Sequence, residues 1–251
     1  MNDTEHIISH FNIAGSVAEV KPLGNGLIND TFKVTTHGDA PDYVLQRINN
    51  SIFTDVDLLQ HNIDAVTTHI RRKLEAEGAA DIDRKVLQFV ASDTGKSYWQ
   101  DSDGSYWRMS VFIPRAFTHE TVNPEYSYYA GKAFGNFEAM LADMSEELGE
   151  SIPDFHNMEL RRRQLHDALK EDRAGRAAGV KDFVAQLEQY ADEMCRAQQL
   201  HREGRLPKRI CHCDTKVNNM LFDEEGHVLC VIDLDTVMPS LFYSDYGDFL
   251  R

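Results

Sequence analysis

The stretch His212-Cys213-Asp214-Thr215-Lys216-Val217-Asn218-Asn219 decides how this sequence is read. It sets an Asp two residues after a His, and an Asn five residues after that Asp. Ile210 to Cys213, introduced by Pro207, reads as a short strand, so the acid and the amide fall on a loop that leaves a strand end. Such a loop can hold a carboxylate within reach of a hydroxyl proton. It can also hold an amide oxygen close by, facing a hard cation. The plainer role for Asp214 and Asn219 is turn formation, which both residue types favour.

A second stretch changes the balance. In Val231-Ile232-Asp233-Leu234-Asp235 an acid ends an apolar strand, 14 residues after Asn219. Asn219–Phe222 and Val228–Leu234 read as a hairpin around Asp223-Glu224-Glu225-Gly226. Together the two stretches have the spacing of a phosphoryl-transfer loop followed by its metal-binding acid. On that reading Asp214 is the base that takes a hydroxyl proton, and Asn219 and Asp233 are ligands for Mg²⁺ on ATP. Lys216 either meets the γ-phosphate charge during transfer or is simply solvated. His212 is expected to brace the loop by hydrogen bonds rather than to act on substrate.

Working outward, Val17–Val20, Thr31–Thr35 and Tyr43–Ile48 read as strands, with a turn-rich segment from Leu23 to Asp30. Gly24 and Gly26 would let the backbone approach phosphates, with Asn29 and Thr31 as further polar contacts. Strand alternation lets only one of Gln46 and Arg47 face a cleft. Arg47 is preferred because α- and β-phosphates need a cation; the alternative places Gln46 inside. Apolar Val56, Leu59, Ile63, Val66, Ile70 and Leu74 predict a helix over 55–77, capped by Thr54 and stopped by Gly78. Asp64 on it is either a partner for that cation or, more simply, a solvated acid. Val86–Val90, Ser97–Gln100 and Tyr106–Ile113 read as strands, with Asp103-Gly104 as a hairpin turn. Phe112-Ile113-Pro114 is the expected hinge, pairing its backbone at Ile113 with the adenine edge. Helical sequence follows at Tyr129–Met144, Leu160–Asp172 and Val180–Leu200. The expected organisation is an α+β, bilobal chain with a nucleotide-binding lobe over 1–114 and a helical catalytic lobe over 115–251.

Composition sets limits on partners. Across 251 residues, 42% are hydrophobic and 27% charged, as in ordinary globular proteins. The net charge of −15 makes nucleic acid a poor partner. No apolar run is long enough for a membrane span, and Met1–Phe11 lacks the apolar core of a secretory signal. Cys211-His212-Cys213 has no second ligand pair to complete a zinc site, and the cysteines read as small apolar residues in a reducing compartment. A soluble, cytoplasmic protein is expected.

The motifs also carry a resemblance. Gly24-Asn25-Gly26-Leu27-Ile28-Asn29-Asp30-Thr31, Leu45-Gln46-Arg47-Ile48-Asn49, Ile152-Pro153-Asp154-Phe155-His156-Asn157, His212–Asn219, Val231–Pro239 and Tyr243–Arg251 resemble the aminoglycoside phosphotransferase and choline kinase superfamily. The N-acetylhexosamine 1-kinase branch is the most similar. The resemblance implies a kinase-like fold, ATP between two lobes, Asp214 as base, and Asn219 and Asp233 as Mg²⁺ ligands. It implies transfer of the γ-phosphoryl group to a sugar, at the anomeric hydroxyl of an N-acetylhexosamine or related hexose. A kinase for an aminoglycoside or choline-like alcohol, or a nucleotide-binding module without turnover, are the alternatives. Three positions depart from the pattern: Cys213 replaces a Gly or Asn, Leu27 replaces a His, and the third strand has no Lys. The resemblance also implies further helices after Arg251, so the chain is expected to be a fragment or a shortened member whose catalytic lobe is incomplete.

Overall fold

An antiparallel sheet organises the first half of the chain in the computed structural model, which describes residues 3–24, 28–119 and 123–250. Its strands are β1 (Val17–Pro22), β2 (Asp30–Thr36), β3 (Tyr43–Ile48), β4 (Tyr98–Gln100) and β5 (Tyr106–Val111), in the spatial order β1-β2-β3-β5-β4. Period-two alternation gives the sheet two different faces. Val34, Tyr43, Leu45, Trp107 and Met109 pack on one face against Ile7 and Ile8 of α1 (Asp3–Ile8). Ile48 and Tyr98 pack on the other, against Val56, Leu59, Ile63, Val66 and Ile70 of α2 (Val56–Ala76). Helix α2 follows the expected apolar spacing. Its cap is Asp55 rather than Thr54, the Asp55 carboxylate accepting from the amide of Leu58. Val86–Val90 does not form a strand; it makes only an isolated bridge, Phe89 to Ser110.

Past residue 123 helices dominate. Asn123 caps α3 (Pro124–Leu141), whose first residue is a proline, the position where its missing N–H costs nothing. Then come α4 (Met158–Glu171), α5 (Lys181–Met194) and α6 (Arg196–Arg202). The single helix expected over 180–200 is in fact α5 and α6, parted at Cys195. Two small ladders close the structure. β6 (Arg209–Cys211) pairs with β9 (Met238–Ser240), and β7 (Met220–Phe222) pairs with β8 (Val228–Val231). The pairing of β6 with β9 was not legible locally. It brings the entry to the His212 loop beside the segment that follows Asp233. Helix α7 (Tyr243–Leu250) packs beneath that loop. Among the described residues no helix is long and apolar enough to cross a membrane.

Candidate active site

The loop after β6 is held from below. Asp245 on α7 accepts from the amides of His212 at 2.6 Å and Cys213 at 2.8 Å. The Thr215 hydroxyl donates to the Asp245 carbonyl at 2.7 Å, and the Thr215 amide donates to Asp248 at 2.9 Å. Asp245 therefore performs for this loop what a cap performs for a helix, satisfying buried N–H groups that would otherwise be orphaned. His212 is fully buried, and that burial keeps its imidazole neutral by lowering its affinity for a proton. Its Nε2 donates to the Ile232 carbonyl at 2.9 Å, and its own carbonyl accepts from Thr236. The histidine thus braces the loop against the chain entering Asp233. Cys213 sits at φ 65°, in the left-handed region, which explains why Gly or Asn would suit that position equally. Beside Asp245, burial and then the Asp245 charge push the Glu138 carboxyl up to about 7.

The functional side chains project from this brace. Asn219 is 4% exposed and donates through Nδ2 to both the carbonyl and the Oδ2 of Asp214, at 2.9 and 3.0 Å. Its amide hydrogens are thereby committed, and its Oδ1 remains for a cation. The Lys216 Nζ lies 2.8 Å from the same Asp214 oxygen. The amide of Ile232 donates to the Asn219 carbonyl at 2.9 Å, which ties Asp233 to this group. Asp233 has φ 60°, so the chain turns sharply off the strand and presents its carboxylate at an open edge of the protein. Surrounding protein still strips much of its hydration. That loss, with the charges of Asp235 and Asp214, pushes it up to about 6, against the pull of Arg108. An uncommitted amide oxygen beside carboxylates that repel one another is a donor set that suits Mg²⁺.

Facing these groups is the α2 side of the sheet. Arg47 does not reach it: β3 alternation places Arg47 on the opposite face, exposed and 3.6 Å from Asp30. Gln46 takes the inward position, donating to Thr31 at 3.2 Å. The cation beside it is Arg108 of β5, directly across the ladder from Gln46 and only 3% exposed. Arg108 donates to Gln46 at 3.0 Å and Gln60 at 3.1 Å, and pairs with Asp235 at 2.5 Å. Nothing local in the sequence marked Arg108, because its partners are 62 and 48 residues away. Asn29 donates to Asp235 at 2.6 Å and accepts from the Asn49 amide at 2.9 Å, so it joins the sheet to the catalytic segment instead of standing free for phosphate. Asp64 is half-buried, not a freely solvated acid. Loss of hydration raises its carboxyl while Ser97 and Arg108 pull it down. Gly24 adopts φ 72° with open space where a side chain would stand. Gly26 lies outside the described residues. Ile113 is buried, and among the described residues its backbone N–H and C=O have no partner.

A two-faced antiparallel sheet over a helical part, with Asp214, Asn219 and Asp233 on adjoining loops, has the architecture of a kinase-like fold. Residues 19–251 match the model of the phosphotransferase enzyme family, and the chain belongs to that family. Solved structures agree in fold. Spectinomycin phosphotransferase APH(9)-Ia, in complex with ADP and spectinomycin, is 13% identical with a TM-score of 0.61, over 96% of this chain and 70% of that one. A thermostable mutant of aminoglycoside phosphotransferase APH(4)-Ia, in a ternary complex with ADP and hygromycin B, is 15% identical with a TM-score of 0.53, over 99% and 76%. The ethanolamine kinase of Plasmodium vivax is 15% identical with a TM-score of 0.50, over 99% and 63%.

Proposed function

We propose that this chain is a cytoplasmic, ATP-dependent sugar kinase whose acceptor is the anomeric hydroxyl of an N-acetylhexosamine or related hexose. The observation that carries the kinase reading is the double hydrogen bond from Asn219 Nδ2 to Asp214, which aims the carboxylate and frees the amide oxygen at once. The acceptor preference rests on the motif resemblance, from Gly24–Thr31 through Tyr243–Arg251.

Residues 1–114 then form the nucleotide lobe and residues 115–251 the catalytic lobe. The turn at Gly24, with Thr31, covers the phosphates, and the backbone of Ile113 meets the adenine edge. The Asp214 carboxylate accepts the acceptor's hydroxyl proton as the hydroxyl oxygen bonds to the γ-phosphorus. The bond from that phosphorus to the β,γ-bridging oxygen breaks, and ADP leaves with the electron pair. Lys216, held at Asp214 by a 2.8 Å contact, offers its charge to the transferring phosphoryl group. Mg²⁺ bound by Asn219 and Asp233 would neutralise charge on the triphosphate oxygens. Arg47, exposed and paired with Asp30, takes no part in this chemistry.

A coupled ADP-release screen tests it, using N-acetylhexosamines, plain hexoses, aminoglycosides, choline and ethanolamine as acceptors. Turnover highest on an N-acetylhexosamine, with a 1-phosphate product, is expected. Preference for an amino alcohol or aminoglycoside would remove the sugar assignment while keeping the kinase. Binding of Mg·ATP without release of ADP on any acceptor would remove both.

A further inference from the structure

Among the described residues, Lys21, Lys33 and Arg108 share one face of the sheet by register, and they are not equivalent. Lys21 and Lys33 stand opposite one another on β1 and β2. The Lys21 side chain is 68% exposed and paired with Glu19. Lys33 is drawn toward the hinge, 3.0 Å from Asp42 and over the Phe112 ring. Arg108 alone sits where the sheet meets the metal-binding segment, in a contact with Asp235, two residues beyond Asp233. Its ladder partner Gln46 holds the inward position on the third strand, where the fold otherwise needs a cation. Gln46 accepts from Arg108 Nε and donates to Thr31, so it aligns the guanidinium instead of competing with it.

We infer that Arg108 is the cation that binds the α- and β-phosphates of the nucleotide in this chain, taking from the neighbouring strand the part that a third-strand lysine would play. Gln46, Gln60 and Asp235 are its positioning residues. A guanidinium presents its donors in a rigid fork, and that fork can keep Asp235 and Gln60 on one side while meeting phosphate oxygens with the rest. Asp235 is also bound by Asn29 of the sheet, so the carboxylate that holds Arg108 ready joins the two sides of the cleft. This inference rests on the kinase reading and adds a residue to it.

The test is calorimetric binding of Mg·ADP and Mg·ATP, with adenosine binding followed by saturation-transfer NMR, to the wild type and three variants. Arg108→Met leaves Asp235 buried without its cation, so Arg108→Met with Asp235→Asn is the partner variant that keeps the fold. Gln46→Lys with Arg108→Met returns a cation to the third strand. Loss of charge-assisted bonds predicts Mg·ADP and Mg·ATP binding weakened about ten- to hundred-fold in the first two variants. Adenosine binding stays within about two-fold, and the variant combining Gln46→Lys with Arg108→Met recovers most of the loss. A merely structural Arg108 would weaken adenosine as much as the nucleotides, and that result overturns the inference. So does unchanged Mg·ADP affinity in the variant combining Arg108→Met with Asp235→Asn. A wild type that binds neither nucleotide would instead overturn the kinase reading itself, before Arg108 is in question.

Discussion

Glu138→Gln should stabilise the protein at pH 8 and leave it nearly unchanged at pH 4.5. The Glu138 carboxyl sits against Asp245 beneath the catalytic loop, and burial followed by the Asp245 charge raises it from 4.5 to about 7. Its folded value lies above its unfolded one, so the folded chain holds this proton more tightly. The resulting stabilisation is complete below pH 4.5 and is lost as pH rises through about 7. A displacement of that size disfavours the charged form by roughly 3 kcal/mol, and partial access to solvent cuts this to about 1.5 kcal/mol. Gln keeps an N–H donor toward Asp245 and never ionises, so it mimics the protonated acid. Urea unfolding of wild type and variant at both pH values reads the difference directly. Subtracting the two chains cancels the raised Asp233, which both retain. An equal gain or loss at pH 4.5 and pH 8 would refute the raised Glu138 carboxyl.

Three further outcomes are expected. Asn29→Ala removes the bonds to Asp235 and to the Asn49 amide, and should lower the unfolding free energy by about 1–2 kcal/mol; a loss under about 0.5 kcal/mol would show that the link across the cleft adds nothing. Asp233→Asn should raise the Mg²⁺ concentration needed for half-maximal turnover by about ten-fold or more, since a hard cation loses a charged ligand; an unchanged Mg²⁺ titration would contradict its role. Cys213→Gly relieves a left-handed backbone worth about 1 kcal/mol and gives up burial of a small thiol worth a similar amount, so stability should move by less than about 0.5 kcal/mol with turnover retained. A loss above about 2 kcal/mol in denaturant unfolding would show that the loop depends on the thiol.

The parts of the site that were legible in the sequence are those whose partners lie close along the chain. Asp214 and Asn219 are five residues apart and bond to each other within one loop. Asp233 follows a short hairpin, so its placement depends on one turn and one ladder. Arg108 and Asp245 act at long range: one across a ladder from Gln46, the other 33 residues beyond His212. Arg108 belongs to no local motif and became visible only with the sheet register; Asp245 lies within the Tyr243–Arg251 motif, but its bonds to the His212 loop became visible only with α7 beneath it. The choice between Gln46 and Arg47 failed for a related reason. Alternation told that they lie on opposite faces, but which face meets the cleft was set by α2 packing on Ile48 and α1 packing on Leu45. Element boundaries blurred where propensity was continuous, as at Cys195. The expected Val86–Val90 strand lacked a ladder partner beyond one bridge to β5.

The most direct measurement is the turnover number of Asp214→Asn beside its affinity for Mg·ADP. Asn keeps the shape and the contacts to Asn219 and Lys216 can adjust, but it cannot take a proton. A catalytic base at this position predicts a fall in turnover of about a hundred- to ten-thousand-fold, with nucleotide affinity within about three-fold of wild type. Turnover within about ten-fold of wild type would contradict it.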